Sequence, residues 1–565
     1  MNAQIKDPPK KTSGQTSGSV VGLLESRASK EFVIGVMGAV GCGLASIVTE
    51  FEVQLIKLGY HVVRVKMSTF IASQIQNQTV TVPALDMVNR YLKYQSGGNE
   101  LRRLYGHEIM AKYAINQIGR NRLAIDPDLK DLTKEPPRIA YIIDQIKHPD
   151  EVVLLRTVYR NNFYLVGVMS LEANRKTRLK DEGLTPELIE QVVNRDRKEG
   201  HKFGQQLEKA FKLADYFIHH PLGVDKAVPE QVERFIHLTH GDNAITPTKH
   251  EHAMYVAYST AMKSSCLSRQ VGASITDITG RLIAVGTNDV PQYKGGLYSS
   301  ESPRDDRCFK TRKICENNAE KKRRFAKIRL GIETKFAEVF KDTEMAKVAN
   351  ANVDIIADFV YAQSGIPDLI EFSRAVHAEM DALISLTRGG GGSTVGGSLY
   401  ATTFPCHNCA RHIIAAGIDK VFYIEPYEKS LAPEAHKDAI EVLDHDNDSV
   451  TNPPAQHTRL RFVHFSGVGP RMYTDFFQRE TRKNDYGDFV PNRTISGEYP
   501  IKIIHEYIDP HRVFEVKVAT LFDEEFAAAM PVPVVVPVAA AVVPVAATSV
   551  VTPGIGGTTA GAANE

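Results

Sequence analysis

Tryptophan is absent from this 565-residue chain, and cysteine is scarce at six residues. Six thiols in so long a chain cannot make a disulfide framework, and they fit a reducing cytosol. No one sign of charge dominates: 68 Lys and Arg face 67 Asp and Glu, for a net charge of +1. Nothing global therefore draws the chain to nucleic acid or to acidic membranes, so any electrostatic site has to be local. The opening stretch, MNAQIKDPPKKTSGQTSGSV, has no apolar core, and no secretion signal is read in it. The one long apolar run, residues 526–547, imitates a membrane span but contains Pro531, Pro533, Pro537 and Pro544. Each proline removes a helix hydrogen bond, which a lipid-exposed span cannot spare. The expectation is a flexible tail, no membrane partner and a cytoplasmic protein.

What the chain does have is a hydrophobic fraction of 43% and the length for several domains. Residues 1–29 are rich in Ser, Thr, Lys and Gly and read as a disordered leader. From Glu31 onward strands and helices alternate. EFVIGVMG is a β-branched run ending in glycine, GAVGCGLASIVTEFEVQLIKLGY opens a helix, and HVVRVKMS is a second strand. RIAYIIDQIKHPDEVVLLR, NNFYLVGVMS and ADYFIHH continue the pattern. It predicts a parallel α/β domain over 30–242. A second α/β domain is predicted over 250–490, interrupted by a charged insertion at 292–372. It is followed by an appended strand-rich segment at 491–525 and a disordered Pro/Ala/Val-rich tail at 526–565.

The strongest chemical signal is His377-Ala378-Glu379 followed by Pro405-Cys406-His407-Asn408-Cys409. Catalytic zinc is tetrahedral, with three protein ligands and one open position. His377, Cys406 and Cys409 supply three. The cysteines stand three apart at the start of a predicted helix, whose N-terminus favours thiolates. Glu379 is close by but not needed as a ligand, and can carry a proton from water to a leaving amine. A structural zinc site would want a fourth ligand and would have no use for Glu379. The H-x-E…P-C-x-x-C pattern is the known signature of zinc nucleobase deaminases.

On HAEMDAL, SLYATTFPCHNCARHIIAAGIDKVFYIEP and the upstream QVGASI…IAVGTNDVP, the chain resembles the deoxycytidylate deaminase branch of the cytidine deaminase superfamily. The resemblance covers roughly 250–475, broken by the insertion. It implies a cytidine deaminase-like α/β/α fold, Zn2+ as cofactor, a small nucleotide substrate and a homo-oligomer. In that family the G-x-N-x-x-P segment lines the sugar and base pocket. Here it reads Gly286, Asn288, Pro291, so the resemblance makes Asn288 a substrate contact. Read from the residues alone, a plain turn asparagine after a strand is the alternative.

Gly38-Ala39-Val40-Gly41-Cys42-Gly43-Leu44-Ala45 keeps the spacing of G-x-x-x-x-G-K-[ST], with Leu44 in place of the lysine and Ala45 in place of the hydroxyl. Without them the phosphate charge and magnesium lose their partners, so phosphoryl transfer is not expected. Backbone amides can still cradle phosphate, which makes Gly38, Gly41 and Gly43 candidate nucleotide-binding residues. RKTRLKDEG, NRDRKEG and ADYFIHH complete a resemblance to nucleoside monophosphate kinases. The domain reads either as a regulatory nucleotide pocket or as a retired scaffold.

From Arg304 to Lys335, twelve Lys and Arg face five Asp and Glu. This cluster is either a site for substrate phosphates or RNA, or a solvated helix face. Cys308 and Cys315 in the same insertion are either part of a second zinc site or, more simply, free thiols. A P-loop-like domain fused ahead of a deoxycytidylate-type deaminase resembles the bacterial anti-phage group that deaminates dCTP and dCMP. That resemblance implies regulation, in some members by a partner RNA. The rival readings are a tRNA or single-stranded DNA deaminase, and a non-catalytic nucleotide sensor.

Overall fold

The computed structural model describes residues 29–526, apart from 133, 198–205, 224–226, 342–343, 390, 427–429, 444–456, 479–481 and 491–507. The expected leader, except Ser29, and the expected tail beyond Phe526 lie outside the described residues.

The first sheet is built from β1 (Glu31–Gly38), β2 (His61–Lys66), β3 (Ile139–Asp144), β4 (Phe163–Met169) and β5 (Tyr216–His219). They run parallel in the order β2-β3-β1-β4-β5. Every residue of β1 and β4 is buried, as a parallel sheet covered on both faces requires. β1 lies mid-sheet, and its C-terminal end runs into the glycine loop. Gly41 and Gly43 take φ of 80° and 77° there, which glycine adopts without a Cβ clash. The loop opens α1 (Leu44–Lys57), which buries Ile47, Phe51 and Leu55 on one stripe. α2 (Pro186–Arg197) returns later in this domain. The result is the expected parallel α/β architecture, with a glycine loop between its central strand and the helix that follows.

The second sheet begins after α3 (Lys249–Ala261), with β6 (Gly272–Thr276) and β7 (Leu282–Thr287). The charged insertion forms α4 (Glu316–Phe340) and shorter helices, and no residue of α4 is fully buried. α5 (Ala378–Gly389), β8 (Ser398–Thr403), α6 (His407–Ala415), β9 (Lys420–Glu425), β10 (Ile440–Leu443) and β11 (Leu460–His464) follow. The strand order is β10-β11-β9-β8-β6-β7. β8 and β9 are parallel, while β6 runs antiparallel to both β7 and β8. α3 lies so close to β6 that a Cβ at Gly272 would sit 1.9 Å from the Ala257 carbonyl oxygen.

The two sheets are tied together in ways that a linear division hides. β12 (Gly467–Val468) leaves the second sheet and adds an antiparallel edge to β5 of the first. Residues 491–525, expected to be strand-rich, are helical where described: α7 spans Ile508–Phe526. The physical reason is periodicity. His511, Glu515 and Phe522 are buried while Val513, Phe514 and Val516 are exposed, a spacing that fits one helix face. α7 docks on the first domain through a buried charge cluster. There the guanidinium of Arg122 bridges Glu31 and Glu515, and His511 Nε2 lies 3.3 Å from Glu31.

Candidate metal centre and its cleft

His377 immediately precedes α5, and Cys406 is the N-cap of α6. The strand β8 between them carries the chain across the sheet, so the two helix starts meet. His377 Nδ1 stands 3.3 Å from Cys406 Sγ and 3.4 Å from Cys409 Sγ. The three ligand atoms lie within 4.8 Å of one another. Tetrahedral zinc, with ordinary Zn–N and Zn–S bonds, would hold nitrogen and sulfur about 3.6 Å apart, so the cluster fits this ion. Both cysteines are buried. Hydrogen bonds from Cys409 and His377 hold the Cys406 thiol far below its ordinary range, against the opposing effect of burial. The hydrogen bond to Cys406 raises the His377 imidazole to about 9. Without metal, the cluster therefore holds protons that a cation would have to displace.

Glu379 lies in the first turn of α5, 4% exposed. Burial raises its carboxyl, although the His377 charge opposes this. Its carboxyl also hydrogen-bonds Cys409. The arrangement places a protonatable carboxyl against the cluster, which is itself made of His377, Cys406 and Cys409.

Glu379, His377 and Cys406 form the floor of a cleft of about 780 Å³, its solvent mouth included, with Asn288, Arg269 and Phe404 on the walls. Asn288 was expected to touch substrate, and it does reach the cleft. Its carboxamide also does local work: Oδ1 accepts from the Val271 amide at 2.7 Å, and Nδ2 donates to the Arg269 carbonyl at 2.8 Å. Each group keeps one further hydrogen-bonding position. Next to it, the Val376 amide donates to the Asp289 carbonyl at 3.0 Å, tying the residue before His377 to this segment. Gly286 serves helix packing, because a Cβ there would lie 2.2 Å from the Ala378 carbonyl oxygen.

The glycine loop borders a separate cleft of about 1310 Å³. Gly41 and Gly43 line it, Gly38 does not, and Leu44 and Ala45 stand where the lysine and hydroxyl would be. Sequence reasoning missed two residues here. Asp196 Oδ2 accepts from the Val40 amide at 2.7 Å, and its Oδ1 accepts from Lys147 Nζ, also at 2.7 Å. Both side chains are buried. Lys147 lies just past the acidic end of β3, and Asp196 lies in the NRDRKEG stretch; neither carries a motif of its own.

In the basic insertion, Lys321 donates to the Pro367 carbonyl, Arg323 pairs with Glu316 and Glu320, and Arg324 sits 4.5 Å above the Phe372 ring. Much of that charge is used within the insertion itself. Cys308 and Cys315, with Cys266, border a small pocket beside the main cleft. Among the described residues they join no metal-ligating cluster and no disulfide.

The description "cytidine and deoxycytidylate deaminase zinc-binding region" matches residues 247–425. This part of the chain is similar to that family. The deoxycytidylate deaminase of Enterobacteria phage T2 is 29% identical over 181 residues, which is 31% of this chain and 80% of that protein. The ComE operon protein 2 of Bacillus subtilis is 41% identical over 56 residues, covering 10% of this chain and 29% of its own. The dCMP deaminase of cyanophage S-TIM5 in apo form shares 15% identity over 39% of this chain and 100% of its own, with a TM-score of 0.20.

Proposed function

We propose that the protein hydrolyses deoxycytidine nucleotides, dCTP and/or dCMP, to their deoxyuridine counterparts and ammonia. The observation that carries this reading is Glu379, a buried carboxyl beside a His/Cys/Cys triangle of zinc dimensions. Zinc, when bound by His377, Cys406 and Cys409, would bring the pKa of a water toward neutrality. Glu379 would take the proton of the attacking water and pass it on, so that the C4–N bond breaks and ammonia leaves. Burial suits the carboxyl to that exchange, because it keeps the neutral form accessible. Asn288 would orient the sugar or base from the wall, using the hydrogen-bonding positions that Val271 and Arg269 leave open.

A free nucleotide is favoured over a polynucleotide because the insertion's Arg323 and Arg324 are engaged inside their own segment. Those pairings weaken the case for an RNA-binding track, although a small regulatory RNA stays within this proposal. The fused kinase-like domain further supports a controlled enzyme that depletes dCTP during phage infection, with a nucleotide at the glycine loop as a second candidate signal. The test is direct: incubate the purified protein with CMP, dCMP, CTP, dCTP and a cytosine-containing oligonucleotide, and detect uracil products. Action on the oligonucleotide alone would transfer the assignment to a polynucleotide deaminase. No action on any of them, with zinc bound, would leave a nucleotide sensor.

A further inference from the structure

A glycine loop at a helix N-terminus offers amides and a partial positive charge to an anion. In this protein one of those amides is already taken. Asp196 of α2, 1% exposed, receives the Val40 N–H, and Lys147, 7% exposed, neutralises it. Lys147 Nζ also donates to the Gly38 carbonyl at 2.9 Å. A carboxylate bonded to a loop amide and to a buried ammonium is the arrangement that a bound phosphate oxygen would make.

The adjoining cleft has a cation-rich lining. Arg64, Arg90, Arg102, Lys147 and Arg178 line it; Arg64 pairs with Asp144, Arg90 with Glu182 and Arg102 with Glu151, so an incoming anion would share or exchange these partners as it would that of Lys147. Tyr91 and Tyr94 add aromatic surface. Gln95, 4% exposed, lines the same cleft with its Oε1 unpartnered, while its Nε2 donates to the Val192 carbonyl on α2. Among the described residues, nothing accepts from the amides of Gly41, Gly43 or Leu44. Cations, aromatics and free amides together match a nucleotide.

We propose that Asp196 holds the Val40 end of the glycine loop's phosphate seat until a nucleotide exchanges its phosphate for that carboxylate. This rests on the reading of the N-terminal domain as a nucleotide pocket. In the exchange Lys147 passes from Asp196 to the phosphate, and so supplies the cation that Leu44 does not. Released from Val40 and Lys147, Asp196 frees its end of α2. The movement has a place to be felt. Asp196 and Ala39 line a second cavity, between the sheets, whose far wall includes Phe404. Phe404 also walls the cleft above His377 and Cys406. A ligand that favours one state of α2 biases the deaminase cleft by its difference in affinity for the two states.

The test is calorimetric binding of ATP, dTTP and inorganic tripolyphosphate to the full chain, with Asp196→Asn and Lys147→Met compared to the parent. Binding needs no turnover, so its outcome is independent of the deamination reading. Asp196→Asn is expected to bind at least tenfold tighter, and Lys147→Met at least tenfold weaker. Hydrogen exchange of the unmodified protein decides the matter even if a variant does not fold. With nucleotide present, residues 186–197 should exchange faster and residues 38–45 more slowly. Equal or weaker binding by a folded Asp196→Asn variant, unchanged exchange in α2, or no binding of any probe by the parent would overturn the proposal.

Discussion

Gly286 and Ala378 lie in direct backbone contact, with room for no side chain between them: a Cβ on Gly286 would fall 2.2 Å from the Ala378 carbonyl oxygen. The segment that reaches the cleft through Asn288 and the helix that carries Glu379 are therefore positioned by each other. Gly286→Ala should push α5 away at a cost of about 1–3 kcal/mol, the usual range for overpacking. Turnover should fall more than that loss of folded protein explains. Thermal melts together with specific activity per folded molecule check this.

The metal ligands give a second expectation. Cys406→Ala should lose zinc and activity together, since two remaining ligands cannot hold a catalytic ion. Metal analysis of the purified variant is the measurement, and full zinc occupancy would show that the ligand set is misassigned.

Zinc affinity should depend on pH in a stated direction. The metal-free His377 imidazole is raised to about 9 through its hydrogen bond to Cys406, and a ligand must give up its proton to bind. The Cys409 thiol is raised further still, first through its hydrogen bond to Cys406, so apparent affinity should rise with pH from neutrality through 9. A competition titration with a chelating dye, run from pH 6.5 to 9.5, reads this. A flat profile would contradict it.

The zinc centre was legible from its motif: a histidine before one helix and a C-x-x-C opening the next, which in this fold lie on either side of β8 and meet. The parallel first sheet was legible for a similar reason, as β1 and β4 are continuous apolar runs. Three other features were not legible. Asp196 and Lys147 meet across 49 positions, and no local pattern marks either one. β12 crosses to the other domain's sheet on two residues, too short to leave a periodic signal. α7 was not legible as a helix because its buried face contains the polar His511 and Glu515 while Val513, Phe514 and Val516 are exposed.

That buried face supplies a stability prediction. Burial alone would raise the Glu31 carboxyl, but Arg122 and His511 overcome it and lower the group to about 2. A lowered carboxyl stabilises the fold above its ordinary value and loses that contribution as pH falls. The docking of α7 should thus weaken between pH 4.5 and about 2. Glu515→Ala leaves part of the Arg122 charge uncompensated and should cost about 3–5 kcal/mol, as breaking a buried pair does. Urea unfolding at pH 7, with hydrogen exchange over 508–526, measures both the cost and its location.

The most direct test of the account is Glu379→Ala, assayed for zinc content and for turnover of dCMP and dCTP. The account predicts a folded variant with one zinc per chain and a rate lowered by at least the ~10²–10⁴-fold expected for loss of a general acid/base. Deamination near the parent rate by that zinc-loaded variant would contradict it.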